Sequence, residues 1–507
     1  MAEFLFEIGL EEIPARMIAG AQAELQRRVV GMLERERLVV AGATSRSFAT
    51  PRRLAVWVDG VAARQEDVAE ELVGPSVKVS YKNGVATAAA VAFAKKAGVA
   101  VEALKTVTTV KGEYLAATSV KAGRGAAEVI AAELPKELAG IYWAKNMYWR
   151  AGRPERFVRP VRWLVALLGG ETVPVSFGGY EAGAVTFGHR VLFGEQGITL
   201  TSAGEYEGAL LKGFVVADVE VRRQKIRKAL DAATRAGGAG LRWREDEELV
   251  ETVTQLTEWP SVVMGEFEKE YLALPEEVLV TVMRDHQKYF AVEEGAGNRE
   301  QETGNKATLA PHFLAVLNTE ADEAGLEVIR HGNERVLRAR FNDARFFWEF
   351  DQRVPLVERV ALLKNVTFQK DLGSYADKTE RVRAIAQRLA TFAGARGAVL
   401  AGSAIDEAVL LAKTDLTTEL VKEFTELQGQ VGGLYAKFQG VNSTVADAIY
   451  DQYLPASAAD AIPRSGEGAI LGISDRIDTI AGMFRLGMEP TGSKDPFALR
   501  RAGNAIV

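Results

Sequence analysis

The hydrophobic pattern is clearest over His331–Asp351, HGNERVLRARFNDARFFWEFD. Wound at about 100° per residue, it puts Val336, Leu337, Phe341, Ala344, Phe347 and Trp348 on one face. Arg335, Arg338, Asn342, Arg345 and Glu349 lie opposite. The pattern predicts an amphipathic helix with a solvated charged face. Arg340 falls on the apolar side, where an unpaired charge is costly, so it requires a ligand or an acid such as Asp343 or Asp351.

At the N-terminus Phe4, Phe6 and Ile8 alternate with Leu5, Glu7 and Gly9, a strand pattern. A helical pattern follows through Met17, Ile18, Ala21, Leu25, Val29, Met32 and Leu33. Ser47–Ala62 reads as a turn at Pro51-Arg52-Arg53 and a β-rich run through Val58. Gly74-Pro75 and Asn83-Gly84 signal turns, and Ala86–Ala97 an Ala-rich helix. Val173–Val191 is β-rich, Val215–Arg235 a basic helix and Glu247–Thr257 an acidic one. Glu276–Phe290 reads as helix and His312–Leu317 as strand, and from Ile329 the pattern is almost entirely helical.

The expected class is a multidomain α+β protein, with N-terminal α/β regions followed by an all-helical part. Residues 1–70 and 141–325 form the α/β region, 71–140 a small inserted or appended module and 326–490 the helical domain. Residues 491–507 begin a linker: Asp495-Pro496 opens a helix over Phe497–Val507 with no stop signal, which suggests a further domain beyond it.

Composition narrows the chemistry. A chain of 507 residues with 48% hydrophobic content suits two to four globular domains. It has no cysteine, which removes disulfides, thiolate zinc sites and cysteine nucleophiles. Four histidines leave little room for imidazole-based metal centres. No apolar run is long enough to cross a bilayer, and the acid-rich start MAEFLFEIGLEEIPAR is unlike a signal peptide. A cytoplasmic protein without membrane contact is expected. The net charge of −6 excludes an all-over basic coat but not a local patch.

One such patch stands out. Between Lys145 and Arg162 lie Lys145, Arg150, Arg153, Arg156, Arg159 and Arg162 against Glu155 alone. Tyr142, Trp143, Tyr148, Trp149, Phe157 and Trp163 are interleaved with them. Basic groups neutralise phosphate and aromatic rings stack on unpaired bases, so RNA contact competes here with a plain core-and-surface arrangement. There is no GxSxG, HExxH or GxGxxG signature. GMEPTGSK at Gly487–Lys494 only approaches a phosphate loop, with its lysine one place late. Thr414-Asp415 and the later Asp475 have the spacing of a His-Asp metal phosphohydrolase centre, but threonine stands where the histidine should be. No histidine follows His331, so a working hydrolase is not expected, and both acids read as structural.

FLFEIGLEEIPARMI, TPRRLAV, KGEYL, FVRPVRWLVALLGG, TFGHR, MRDHQKYFAV, LAVLNT, GNERVLRARFNDARFFWEFD, DLGSYADKTERV, TDLTTELVKEFTELQG, SDRIDTIAGMF and GSKDPFALRR occur in this order. Together they resemble the β subunit of the bacterial heterotetrameric glycyl-tRNA synthetase, over essentially the whole chain.

That resemblance implies an α2β2 assembly. The α subunit makes glycyl-adenylate from glycine and ATP with Mg2+, and the β subunit binds tRNA-Gly. It implies an HD-like middle domain, degenerate at Thr414, Asp415 and Asp475, and a final anticodon-binding domain before which this sequence stops. No catalytic residue, metal or cofactor is expected on this chain. Arg159, Arg162, His189, Arg190, His286, Gln287, Lys288, Tyr289, Arg335, Arg338 and Arg345 sit inside the shared motifs; with Lys145 and Arg150 they are the expected contacts to RNA or to α. Two other readings are a degenerate HD-type phosphohydrolase and a stand-alone RNA-binding scaffold.

Overall fold

The computed structural model describes all residues except 41, 83, 154, 296–307, 458–459 and 492–494. Asn83 of the turn at Asn83-Gly84, and Gly492–Lys494 of the near phosphate loop, therefore lie outside the described residues. The chain divides into two units: residues 1–229, 247–261 and 316–320, and residues 230–246, 262–315 and 321–507.

The first unit is built on a five-stranded sheet. In spatial order its strands are Glu171–Thr172, Val161–Leu168, Ala2–Leu10, Arg53–Val61 and Ser45–Thr50, all antiparallel. The alternation in FLFEIGL does not mark a half-solvated strand. Ala2–Leu10 lies between two neighbours, and both of its faces are covered. Phe4, Phe6 and Ile8 pack in one core with Ile18, Leu25 and Val29 of helix Ala15–Arg35, while Leu5 joins Trp163, Val165, Tyr206 and Leu210 in a second. Gly9 sits opposite Trp163, and a Cβ there would fall 2.0 Å from the indole, so only glycine lets the ring lie flat on this strand. The run Ser47–Thr50, read from sequence as the approach to a turn, is itself strand.

Within this unit, Val68–Ser76, Gly112–Lys121 and Lys105–Thr109 form a separate three-stranded sheet. It packs on helix Ala88–Ala97 through its own core of Ala90, Phe93, Leu115 and Ala117.

The basic helix runs over Val219–Gly237, and its Arg222 is buried rather than solvated. Its guanidinium donates to the carbonyls of Ala49, Val216, Ala217 and Thr254. Burial pulls its pKa down to about 10 against the pull of Glu258 and Asp218.

The second unit holds a helical assembly and all but the end residues of a four-stranded sheet, Leu241–Trp243, Tyr289–Glu294, Thr308–Leu317 and Ser261–Glu266. The helix expected over Glu276–Phe290 is cut short. It is α-helical to Thr281, continues as a π-turn over Val282–Gln287, and stops at Lys288 with φ of 61°. Tyr289 onward is strand because Tyr289, Phe290, Ala291 and Val292 are buried in the sheet.

The long helix spans Glu323–Asp351 and is capped by Asp322, whose side chain accepts from Gly325 N. Leu337, Phe341, Ala344 and Trp348 are buried as the pattern predicts, but Val336 is 45% exposed. Arg340 is not buried. It reaches the rim and pairs with Glu423 at 3.4 Å, so neither Asp343 nor Asp351 serves it. Asp351 is buried and accepts from Arg359, the Glu419 and Leu420 amides and the Tyr435 hydroxyl. The C-terminal helix is shorter than expected: Leu499–Asn504, entered through Ala498 at φ of 53°.

Candidate functional sites

Four sequence motifs converge at one end of the five-stranded sheet. Glu7, fully buried, accepts from Trp163 Nε1 and from Thr186 Oγ1 at 2.7 Å. Arg53, also fully buried, donates to Glu258 Oε1 at 3.1 Å and lies 3.9 Å from Glu7 Oε1. Burial pulls the Arg53 pKa down, but Glu258 and Glu7 outweigh it and the guanidinium stays charged. Burial pushes the Glu258 carboxyl up, yet Arg53 and a hydrogen bond from Thr50 hold it below the usual range.

Above this buried layer opens a cleft of about 630 Å3. Arg52, Arg162 and Arg190 line it together with Trp163, Tyr180 and Phe187. Glu11 bridges two of the arginines: one carboxylate oxygen lies 2.9 Å from Arg162 Nε and the other 2.9 Å from Arg190 Nη2. Arg52 stacks over Trp163 at 5.5 Å, and its Nε lacks an acceptor among the described residues. Burial holds the Arg52 pKa below its ordinary value.

Other expected residues take local roles. Arg159 donates to the Glu12 and Val158 carbonyls. His189 is buried, and its Nδ1 accepts from the Val191 and Leu192 amides, which assigns the proton to Nε2. Arg150 pairs with Glu155 at 3.1 Å, and Lys145 is exposed. The interleaved aromatics split: Trp143, Phe157 and Trp163 are core, whereas Tyr142 and Tyr148 face solvent, Tyr148 with Arg156 4.5 Å above its ring.

In the second unit the π-turn packs the His286 ring on Phe424 at 4.9 Å. Gln287 is half-buried, and Lys288 Nζ donates to the Asp285 carbonyl. Tyr289 donates to Asn333, and burial pushes its pKa to about 12. On the long helix Arg338 pairs with Glu268, Arg345 lies over Tyr271 and donates to Asn342, and Arg335 is exposed. Of the expected contacts, Arg162 and Arg190 line the cleft of the first unit.

Around Thr414, Asp415 and Asp475 the charged neighbours are lysines. Thr414 is buried and donates to the Leu411 carbonyl. Asp415 is buried and accepts from Gly429 N at 2.6 Å, and burial pushes its pKa to about 6. Asp475 is flanked by Lys378 at 3.3 Å and Lys413 at 3.4 Å. Burial pushes the Asp475 carboxyl up, but the two ammonium groups overcome it and hold it low. Lys413 also donates to Tyr453, and Lys378 to Asp478 and Thr479.

The gap beside these lysines is about 10 Å3, at the lower limit for one water. Among the described residues no group of His, Cys, Asp and Glu is arranged to hold a metal ion. The residues present do not fit the metal of an HD centre. Lys378 and Lys413 lie far from Asp475 in the sequence, and no spacing rule pairs them with it; only the fold brings both to its carboxylate.

Residues 4–507 match the family model described as glycyl-tRNA synthetase beta subunit. The chain belongs to that family. It is 60% identical to the glycine–tRNA ligase beta subunit of Acidobacterium capsulatum, over all of this chain and 70% of the relative. The corresponding subunits of Myxococcus xanthus and Geobacter sulfurreducens are 44% and 41% identical, again over the whole chain and covering 69% and 70% of their lengths. As a glycyl-tRNA synthetase beta-family chain it falls among the aminoacyl-tRNA synthetases, which are ligases, and the mixed α+β class read from sequence is the one observed. Among the described residues no helix is long and apolar enough to cross a membrane.

Proposed function

We propose that this chain binds tRNA-Gly in the cytoplasm and presents it to a separate α subunit in an α2β2 assembly. The α subunit makes glycyl-adenylate from glycine and ATP with Mg2+, and glycine then passes to the tRNA 3′ end. This chain contributes binding and positioning, and holds no ATP, metal or other cofactor itself. The observation that carries the reading is the family match over residues 4–507. The arginine-lined cleft supports it, because planar guanidinium groups suit phosphate. The HD-type hydrolase reading is disfavoured by the lysines around Asp475.

The test is glycylation of tRNA-Gly by purified α subunit with and without this chain. Stimulation of charging, with adenylate formation by α present in both cases, supports the proposal. No effect on charging by an α subunit that forms adenylate overturns it in favour of an RNA-binding scaffold.

A further inference from the structure

We infer that the cleft of the first unit holds a single unpaired nucleotide of an RNA strand, its base against Tyr180 and Phe187 and its phosphodiester on Arg162 and Arg190. The inference rests on the tRNA-binding reading only for the source of that nucleotide. Three features carry it.

The cleft is large enough for a small organic ligand, at about 630 Å3, within the usual range of such sites. Its donors are positioned before any ligand arrives. Glu11 holds Arg162 through Nε and Arg190 through one Nη, so the remaining N–H groups of each fork have no role in that bridge. Both side chains remain about half exposed, at 55% and 50%. Arg52 adds a third guanidinium whose Nε has no acceptor among the described residues.

The walls are aromatic. Phe187 stacks edge-on to the buried Trp163, which fixes it, and Tyr180 is 39% exposed, open to a base on one side. Aromatic faces accept any base, whereas a duplex offers none to them.

Charge selects the phosphate. Arg52, Arg53, Arg162 and Arg190 are balanced by Glu7, Glu11, Glu195 and Glu258 across the lining and the layer beneath. So balanced a site does not concentrate polyanions by field alone. It suits one diester charge gripped by directed hydrogen bonds rather than a triphosphate.

The experiment is anisotropy titration of a labelled single-stranded RNA heptamer, its duplex, and labelled tRNA-Gly, with AMP as competitor. The proteins are the wild-type chain, Tyr180→Ala and the double variant Arg162→Gln with Arg190→Gln, each checked for an unchanged unfolding midpoint. The expected result is binding of the single strand in preference to the duplex. Each variant weakens it about tenfold, with a shallower salt dependence only for the arginine pair. Displacement of the strand by AMP, lost in the same variants, keeps the cleft chemistry and makes a free nucleotide its source. Single-strand binding unchanged in both variants overturns the inference. Binding of tRNA-Gly without any binding of the single strand also overturns it, and leaves the tRNA reading standing. Failure of the wild-type chain to bind tRNA-Gly overturns that reading instead.

Discussion

Lys413 Nζ lies 3.4 Å from Asp475 Oδ2, and Lys378 flanks the same carboxylate from its other oxygen. Two ammonium groups thus supply, inside the fold, the positive charge that a buried carboxylate needs. Replacing Lys413 by methionine removes one of them and leaves the Tyr453 hydroxyl with Gln428 as its donor. The expected loss is about 3 kcal/mol of unfolding free energy, read from urea denaturation. A change below about 0.5 kcal/mol would show that Lys378 alone compensates Asp475.

Asp415 titrates in the opposite sense. Its pKa rises to about 6 in the fold, from about 3.9 in an unfolded chain. The native state therefore binds the proton more tightly, so the stability this group contributes is full below about pH 4 and is lost as pH rises to about 6. Asp415→Asn cannot titrate. The difference in stability between wild type and this variant is expected to shift against wild type between pH 4 and 6 and to stay level above pH 7. Thermal unfolding of both proteins across that range checks it, and a flat difference would refute the buried-acid assignment.

Arg53 is the cation of a fully buried centre with Glu258 and Glu7. Arg53→Met strands two carboxylates, at an expected cost of about 3–5 kcal/mol. Adding Glu258→Gln to that variant should recover part of the loss. A double-mutant cycle on unfolding midpoints measures the coupling; strict additivity would mean that the pair does not interact.

Arg222 ties four backbone carbonyls together. Arg222→Met leaves them without that donor, and about 3 kcal/mol or more is expected to go with it. Arg223→Met on the next position, partly exposed and paired with Glu220 and Glu251, is expected to cost about 1 kcal/mol or less. Equal losses would contradict the contrast in burial.

These last two positions show what the sequence could and could not reveal. Both lie in one basic run, and nothing in the helical period distinguishes an arginine that faces solvent from one that finds four carbonyls. The long helix at Glu323–Asp351 was legible because many apolar positions vote together, yet the single odd residue, Arg340, was not; its partner Glu423 is distant in sequence. The π-turn before Tyr289 escaped for a similar reason: a short apolar run fits helix and strand alike until the sheet that buries it is known. Of the site, Arg162 and Arg190 were nameable from their motifs, and the missing imidazole at Thr414 was plain. Their companions Glu11, Arg52 and Tyr180 come from separate strands and loops, and only folding brings them to one cleft.

The placement of Ala2–Leu10 has a consequence for how the chain is made. One of its neighbours, Arg53–Val61, follows soon after it, but the other, Val161–Leu168, emerges only after the whole three-stranded module and its helix. Until then the first strand keeps one edge unpaired on the ribosome, and unpaired edges invite the wrong partners. The floor of the cleft, Trp163 over Gly9, is closed by that same late event. A ribosome-bound nascent chain halted before Val161 therefore has its first two motifs in place and no binding cleft between them.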